Sequence, residues 1–399
     1  MVLPELGSLH LTTKALHDLG LSGTLALIPS WQVGIEQPPP TDPQRLALEG
    51  YKGNEVVYAC IREIAGTAAE VQLQVVGPQD DPQPHHPLQR LLNHPNPEHS
   101  AFELIEGLLT DLFISGNAFL LKQRSPSHAR RGPSPHGPAG RGRPDLPSGS
   151  GRPTRADIES LWKLRPDRIR VVPGTRSLID SYIHRVGDRE TRFDPADIIH
   201  FRLPDPTNDL WGLSPIQVAS RQIDTDTEAS KFVHAFFRNA AVPFGIIKLK
   251  RTLRGGEAEA RRIGRRWTDR FRGLMGHFQV GVLDADADFQ RIGLTQDEMA
   301  FPELRAQTEA RICAAFRVPP MLVGVKAGLD RSTFHNMGEA RRFFWENTML
   351  SLYRRIESKL AADLTPEFAG PSDDLRIRFD FSQVRALAIL TQPNEQSSE

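Results

Sequence analysis

Ser214-Pro215-Ile216-Gln217 is a strong helix start, with Ser as cap, Pro at the first helical position and Gln three residues after the cap. The run it opens limits the fold more than any other stretch of the chain. The pattern predicts one helix over 214–239, roughly 35–40 Å long at 1.5 Å per residue. Its apolar residues form a narrow seam, Ile216, Ile223 and Phe237 with Ala219 and Val233 on an adjacent row. Its middle, Asp224-Thr225-Asp226-Thr227-Glu228, is polar nearly all round. Such a helix is not enclosed in a globular core. It packs along one line and shows water or a channel the rest.

The other segments predict an α+β chain. Residues 1–50 are Pro-rich and weakly periodic, an arm that orders only against a neighbour. Asn54 caps a helix with Val57, Ile61, Ile64 and Ala68 on one side, and the strand Val71, Leu73, Val75 follows. A capping box, Ser100-Ala101-Phe102-Glu103, opens a second helix that turns Phe102, Ile105, Leu109 and Leu112 one way and ends near Gly116. A strand over 118–122 follows, and then residues 123–155 change to Pro, Gly, Ser and Arg. That segment cannot pack a core and reads as a long insertion at a hairpin tip, either a solvated disordered loop or an electrostatic tether. Strand-like runs cover 161–164, 169–172, 178–186 and 198–203. Beyond 240 come a strand over 245–250, a helix over 257–274 and a strand over 279–292. A long helix over 302–316 then aligns Leu304, Thr308, Ile312 and Phe316. A linker with Pro319-Pro320, Gly324 and Gly328 separates it from a helix over 332–364 and a strand with Leu375, Ile377, Phe379 and Phe381 inward.

No phosphate-cradling GxxxxGK[ST] or GxGxxG is present, and no GxSxG elbow. The expectation is a chain without catalytic residues, cofactor or metal. Asp284-Ala285-Asp286-Ala287-Asp288 opens like a calcium loop, but Phe289 and Thr295 stand where that loop needs Gly and Glu, so a strand with its acids on the wet face fits better. Lys+Arg and Asp+Glu both total 49, which excludes a global basic excess for clamping nucleic acid. Local cation density is greatest at Arg261, Arg262, Arg265, Arg266, Arg270 and Arg272, either a salt-bridged wet face or a docking face for an acidic partner or DNA. Cys60 and Cys313 lie in apolar helical patterns without metal spacing and read as reduced core residues. No signal or membrane span is readable, and a soluble intracellular protein is expected.

The linear order of several peptides resembles the portal proteins of tailed bacteriophages, in the siphovirus-type branch. They are Asn54-Glu-Val-Val-Tyr-Ala-Cys-Ile61, His94-Pro-Asn-Pro97, Gly116-Asn-Ala-Phe119, Leu164-Arg-Pro-Asp-Arg168, Asp197-Ile-Ile-His-Phe201, Gly212-Leu-Ser-Pro215, Phe236-Phe-Arg-Asn239 and Ala314-Ala-Phe-Arg-Val-Pro-Pro320. The resemblance implies a wing over 51–213, a stem helix over 214–240, a clip over 241–293, a second stem helix over 294–316, a tunnel loop over 317–335 and a return to the wing over 336–382, with a short tail over 383–399. It implies a ring, typically of twelve copies, that passes double-stranded DNA at one capsid vertex of a virion, after assembly in the host bacterial cytoplasm. The implied partners are the terminase large subunit, the major capsid protein or scaffold and a head–tail adaptor, with no membrane. Lys326, Arg331 and His335 are the implied DNA-facing residues of the tunnel loop, and Arg261, Arg262, Arg265, Arg266 and Arg270 a partner-docking surface on the clip.

Half-polar helices suit staves of a barrel, each sealed by its neighbours around a wet lumen. Two departures stand out. The family commonly has Gly where this chain has Arg317, which changes the geometry or charge at the onset of the loop, and residues 123–155 replace what is usually a short turn. The rival readings are a DNA-binding or nuclease-like protein using the arginine clusters and a small-ligand enzyme. The first needs grouped metal-binding carboxylates, the second a deep pocket with convergent polar groups.

Overall fold

The computed structural model describes residues 32–124, 158–175, 177–238, 245–249, 257–258, 261–262, 264–265, 287–291, 301–329, 334–369 and 374–384. Asn54 caps α1 (Glu55–Ala69) through its side-chain oxygen, which accepts from the Val56 and Val57 amides at 3.1 Å each. β1 (Leu73–Val76) and the short α2 (Pro87–Asn93) lead to α3 (Ala101–Ser115), which begins in the expected reciprocal capping box of Ser100 and Glu103. It ends at Gly116 with φ 76°, a left-handed position. Phe102, expected on the inner side of α3, is exposed instead, because it sits in the first turn, before the helix reaches the core.

Five strands follow: β2 (Asn117–Arg124), β3 (Ile158–Leu164), β4 (Ile169–Pro173), β5 (Ile179–Val186) and β6 (Arg189–Phe193), with β7 (Ile198–Arg202) after them. β2 is the centre of an antiparallel sheet ordered β3-β2-β7, and β4-β5-β6 forms a second antiparallel sheet. Because β2 and β3 pair as a hairpin, residues 125–157 connect its two strand ends; they lie outside the described residues. The arm touches the second sheet where Gln37 bridges Val171.

The helix expected over 214–239 is in two parts. Ser214 and Gln217 form their capping box over a single turn, Pro215–Val218, Ala219 leaves helical geometry at φ −89° and ψ 5°, and α4 (Ser220–Arg238) continues. No Gly or internal Pro marks the break, so the pattern does not reveal it. β8 (Gly245–Leu249) pairs antiparallel with β9 (Ala287–Arg291), and Asp284 and Asp286 fall outside the described residues. α5 (Phe301–Phe316) buries Thr308, Ile312 and Phe316 but exposes Leu304, which lies a turn before the core begins. The Gly- and Pro-punctuated linker is more structured than its composition suggests: turns pack Leu322, Val323 and Val325 against the core, and α6 (Lys326–Leu329) adds a helical turn. The helix expected over 332–364 is α7 (Phe334–Phe344) and α8 (Leu350–Phe368) joined by a π-helical turn, Trp345–Met349. β10 (Arg376–Phe379) pairs with β1.

One large core unites α1, α3, the end of α5 and α8 with the strands beside them, and a smaller one gathers Phe119, Ile169, Tyr182 and Trp211. Cys60 of α1 and Cys313 of α5 meet inside the large core with sulfurs 3.9 Å apart, both free and fully buried. The contact with Cys313 and burial push the Cys60 thiol far above its ordinary range. Neither thiol is expected to react with DTNB in the native protein, and both should react once guanidinium unfolds it. Rapid labelling without denaturant would contradict the packing. Among the described residues no helix is long and apolar enough to cross a membrane.

Candidate functional site

Three of the peptides spread along the sequence, Gly116–Phe119, Asp197–Phe201 and Gly212–Pro215, meet at the root of the long helices. Gly116 and Gly212 lie back to back, so close that a Cβ on Gly116 would stand 2.5 Å from the Gly212 carbonyl oxygen and one on Gly212 2.2 Å from that of Gly116. Asn117 ties them: its Oδ1 accepts from the Gly212 amide at 2.8 Å, and its Nδ2 donates to the Ser115 and Gly212 carbonyls. Ser214 caps its helical turn and donates to the Ile114 carbonyl at 2.6 Å, fixing the start of the helices to the end of α3.

His200 completes this joint. It stacks on Phe119 at 4.2 Å between ring centroids, with Nε2 3.2 Å from Asn117 Oδ1 and Nδ1 3.2 Å from the Tyr182 hydroxyl. Since Asn117 Oδ1 already faces one donor as an acceptor, Nε2 carries the proton and Nδ1 accepts from Tyr182. Burial, with Arg202 and Lys359 adding to it, holds the imidazole well below its usual titration range. A depressed histidine is neutral in the fold, while the unfolded chain binds a proton below about pH 6.5. Stability is therefore expected to fall as pH drops from there toward the folded value. His200→Gln should remove part of that fall, read as melting midpoints between about pH 7 and 5; identical slopes in both proteins would exclude His200 as the group responsible.

A second buried network fastens the helix pair to α1. Asp226, expected to face water, is 2% exposed. Its Oδ2 accepts from Asn54 Nδ2 at 2.9 Å, so the cap of α1 also binds α4. Arg305 of α5 reaches Glu55, which it hydrogen-bonds, and its Nε lies 3.0 Å from Glu309 and 3.6 Å from Asp226. Three carboxylates thus share one guanidinium. Asp226 Oδ1, Arg305 Nε and Glu309 Oε2 are buried without hydrogen bonds. Burial pushes both the Asp226 and Glu309 carboxyls up, against the pull of Asn54 and Arg305 on the first and of Arg305 on the second. Within the polar middle of α4, Asp226 is thus a junction, while Asp224, Thr225 and Glu228 stay exposed as expected. The partners are too far apart in sequence for periodicity to show it.

At the far end of α5, Arg317 takes φ +59°, the left-handed conformation that costs an L-residue roughly 1–2 kcal/mol and that Gly adopts freely. Its amide donates to the Ala314 carbonyl at 3.0 Å, and its own carbonyl accepts from the Thr348 hydroxyl at 2.7 Å. The geometry of a glycine is kept; the charge is what differs. Of the expected loop residues, Lys326 is exposed at the first position of α6, Arg331 lies outside the described residues, and His335 is within α7 with its side chain outside them. Of the expected docking arginines, Arg261, Arg262 and Arg265 are exposed on helical backbone, Arg261 paired with Glu257 at 2.5 Å, while Arg266 and Arg270 lie outside the described residues.

The family model for phage portal protein matches residues 55–394. An uncharacterized protein of Rickettsia bellii is 24% identical, over 86% of this chain and 82% of its own. The probable portal protein of Streptomyces phage phiC31 is 23% identical, over 82% of this chain and 67% of its own. Among solved structures, the neck of an empty gene transfer agent particle, computed with C6 symmetry, superposes with a TM-score of 0.66 at 28% identity and covers 90% of both chains. The neck of the native particle, computed with C12 symmetry, gives 0.64 at 28% over 90% of this chain and 89% of that one. An HK97 family phage portal protein from Corynebacterium diphtheriae gives 0.56 at 15% identity, over 87% of this chain and 97% of that one, and supports the fold alone.

Proposed function

The chain belongs to the phage portal protein family, and from that premise we propose that twelve copies close into a ring through which double-stranded DNA passes. It is a structural protein of the channel at a capsid vertex, not an enzyme, and proteins of its kind sit in the necks of phage-like particles as rings. The observation that carries this reading is the family match across residues 55–394, which takes in both long helices and the turns between α5 and α7.

In the proposed ring, residues 214–240 and 294–316 are stem staves and residues 241–293 are the clip. Residues 317–335 line the tunnel, and residues 336–382 return the chain to a wing built over 51–213. Lys326, Arg331 and His335 face DNA, and Arg261, Arg262, Arg265, Arg266 and Arg270 dock the terminase large subunit and later the head–tail adaptor. The major capsid protein or its scaffold holds the rim, and assembly takes place in the bacterial cytoplasm. The buried joints support this division: they fix the helix pair rigidly to the body, as a stave needs.

Sedimentation velocity and negative-stain imaging of the purified chain test the ring. Closed rings are expected. A strictly monomeric particle at every concentration and salt would overturn the proposal, whereas a ring of another copy number would correct only the twelve.

A further inference from the structure

On the outer side of α1 the described residues leave a face open. The π-helical turn Leu46–Tyr51 brings Leu48 and Tyr51 to it, α1 brings Tyr58 and Arg62, and α3 brings Phe102 and Glu106. The two tyrosines meet at 5.2 Å between ring centroids, and the Tyr58 hydroxyl accepts from Arg62 at 2.8 Å. Burial, with Tyr58 and Glu106 adding to it, pushes the Tyr51 hydroxyl up, and Glu106 lies within electrostatic reach of Arg62 as well. Phe102 precedes Glu106 by one helical turn and so shares its side of α3. Leu48, Tyr58 and Phe102 are 52%, 41% and 42% exposed. Single apolar side chains on a surface are ordinary. Aromatic ones gathered from three neighbouring elements around a placed arginine have the make-up of an interface core.

The chain carries a segment of matching chemistry. Residues 1–31 hold nine leucines with Val2, Ile28 and Trp31, and their charged side chains are Glu5, Lys14 and Asp18. So apolar a stretch gains free energy from burial. It joins the body at a fixed place, where Gly34 donates to the Pro173 carbonyl at 2.9 Å and Gln37 exchanges backbone hydrogen bonds with Val171 at the edge of β4. From Gln37 to Leu48 the chain runs eleven residues, so the open face stands at most about 40 Å from that edge. Residues 1–31 can span up to about 100 Å, enough to pass beyond their own body. The point of departure at β4 and the face at α1 are two different places, as head-to-tail closure of a ring asks of each copy.

We propose that residues 1–31 of one copy dock on the face of Leu48, Tyr51, Tyr58 and Phe102 of its neighbour. The proposal deepens the ring reading and rests on it. Nucleic acid is the less favoured occupant, because the face offers aromatic carbon and one arginine set against Glu106 rather than a run of cations. A separate protein is less favoured too, because the arm travels with every copy and meets each face at high local concentration.

The test places p-benzoylphenylalanine at Phe102 in the full chain and, as control, at Phe343 of α7, which is 58% exposed. Both variants should melt with wild type, since both rings are exposed. After irradiation, gels read the mass of the adducts and peptide mapping reads the segment joined. Covalent dimers joined through residues 1–31 are expected at Phe102, at least about fivefold above Phe343. Dimers joined through any other segment, adducts within a single chain, or no adduct at Phe102 would each overturn the proposal. Negative staining of the same samples keeps the two readings apart. Rings without these dimers overturn the docking alone, whereas dimers without rings overturn the ring and leave the docking standing.

Discussion

Arg305→Leu is expected to cost about 2–3 kcal/mol of stability near pH 8 and clearly less near pH 5. Arg305 is the cation shared by Asp226, Glu309 and Glu55, and the first two are buried. Removing one partner of a buried pair leaves uncompensated charge, worth about 3–5 kcal/mol in dry sites, and partial exposure of Arg305 lowers the figure here. The sign of the pH effect follows from the carboxyls. Burial already holds both above the ordinary range, so the fold binds their protons more tightly than the unfolded chain does. The resulting penalty is absent below the unfolded value near pH 4, grows as pH rises and is complete above the folded values. Losing Arg305 raises those folded values further, which places the damage at high pH. Adding Asp226→Asn to the Leu variant should recover part of the loss near pH 8 and little near pH 5. Urea midpoints at the two pH values read this directly. A loss independent of pH would mean that Arg305 acts through the packing of its aliphatic stem.

Glu367→Ala should be at least as costly, about 3–5 kcal/mol. The Lys122 side chain is 4% exposed and its Nζ is held by Glu367 at 2.5 Å and by the Asp363 carbonyl at 3.1 Å. Arg124 reaches the same carboxylate through both terminal nitrogens and Asp197 through Nε. Burial by itself would raise the Glu367 carboxyl, but the bonds from Arg124 and Lys122 outweigh it and hold it below the usual range. Without it, Lys122 is a buried ammonium beside a single carbonyl. Lys122→Met in the Ala background should restore much of the stability, since an apolar side chain needs no partner there. Failure of that rescue would show that Glu367 serves mainly to hold Arg124.

The local parts of this fold are legible in the sequence. The caps at Asn54, Ser100 and Ser214, the stop at Gly116 and the alternation of Ile377 and Phe379 each depend on a few adjacent residues, and each stands where the pattern put it. β6 was missed because Arg189-Glu190-Thr191-Arg192-Phe193 offers almost no apolar alternation. A two-residue turn at Gly187-Asp188, with Gly187 at φ 59°, was the available signal. The joint of Asn117, His200 and Gly212 and the cluster of Asp226, Arg305 and Glu309 were not legible as sites. Their members lie on different elements, and a buried acid in the middle of a polar stretch looks the same in sequence as a wet one. For Arg317 the hint existed in the expected Gly, but only the dihedral angle shows that geometry was kept and charge changed.

The π-helical turn between α7 and α8 sets a phase. An extra residue within one turn offsets the side chains before it from those after it by about 100° relative to an unbroken α-helix. Trp345, Thr348 and Met349 are buried within that turn, and Thr348 holds the carbonyl of Arg317. Removing a single residue from 345–349 would let the two helices run on as one continuous α-helix. Either α7 would then swing to present another side, or Thr348 would turn away from Arg317. Counted in residues such a deletion is a shortening; in the molecule it is a rotation.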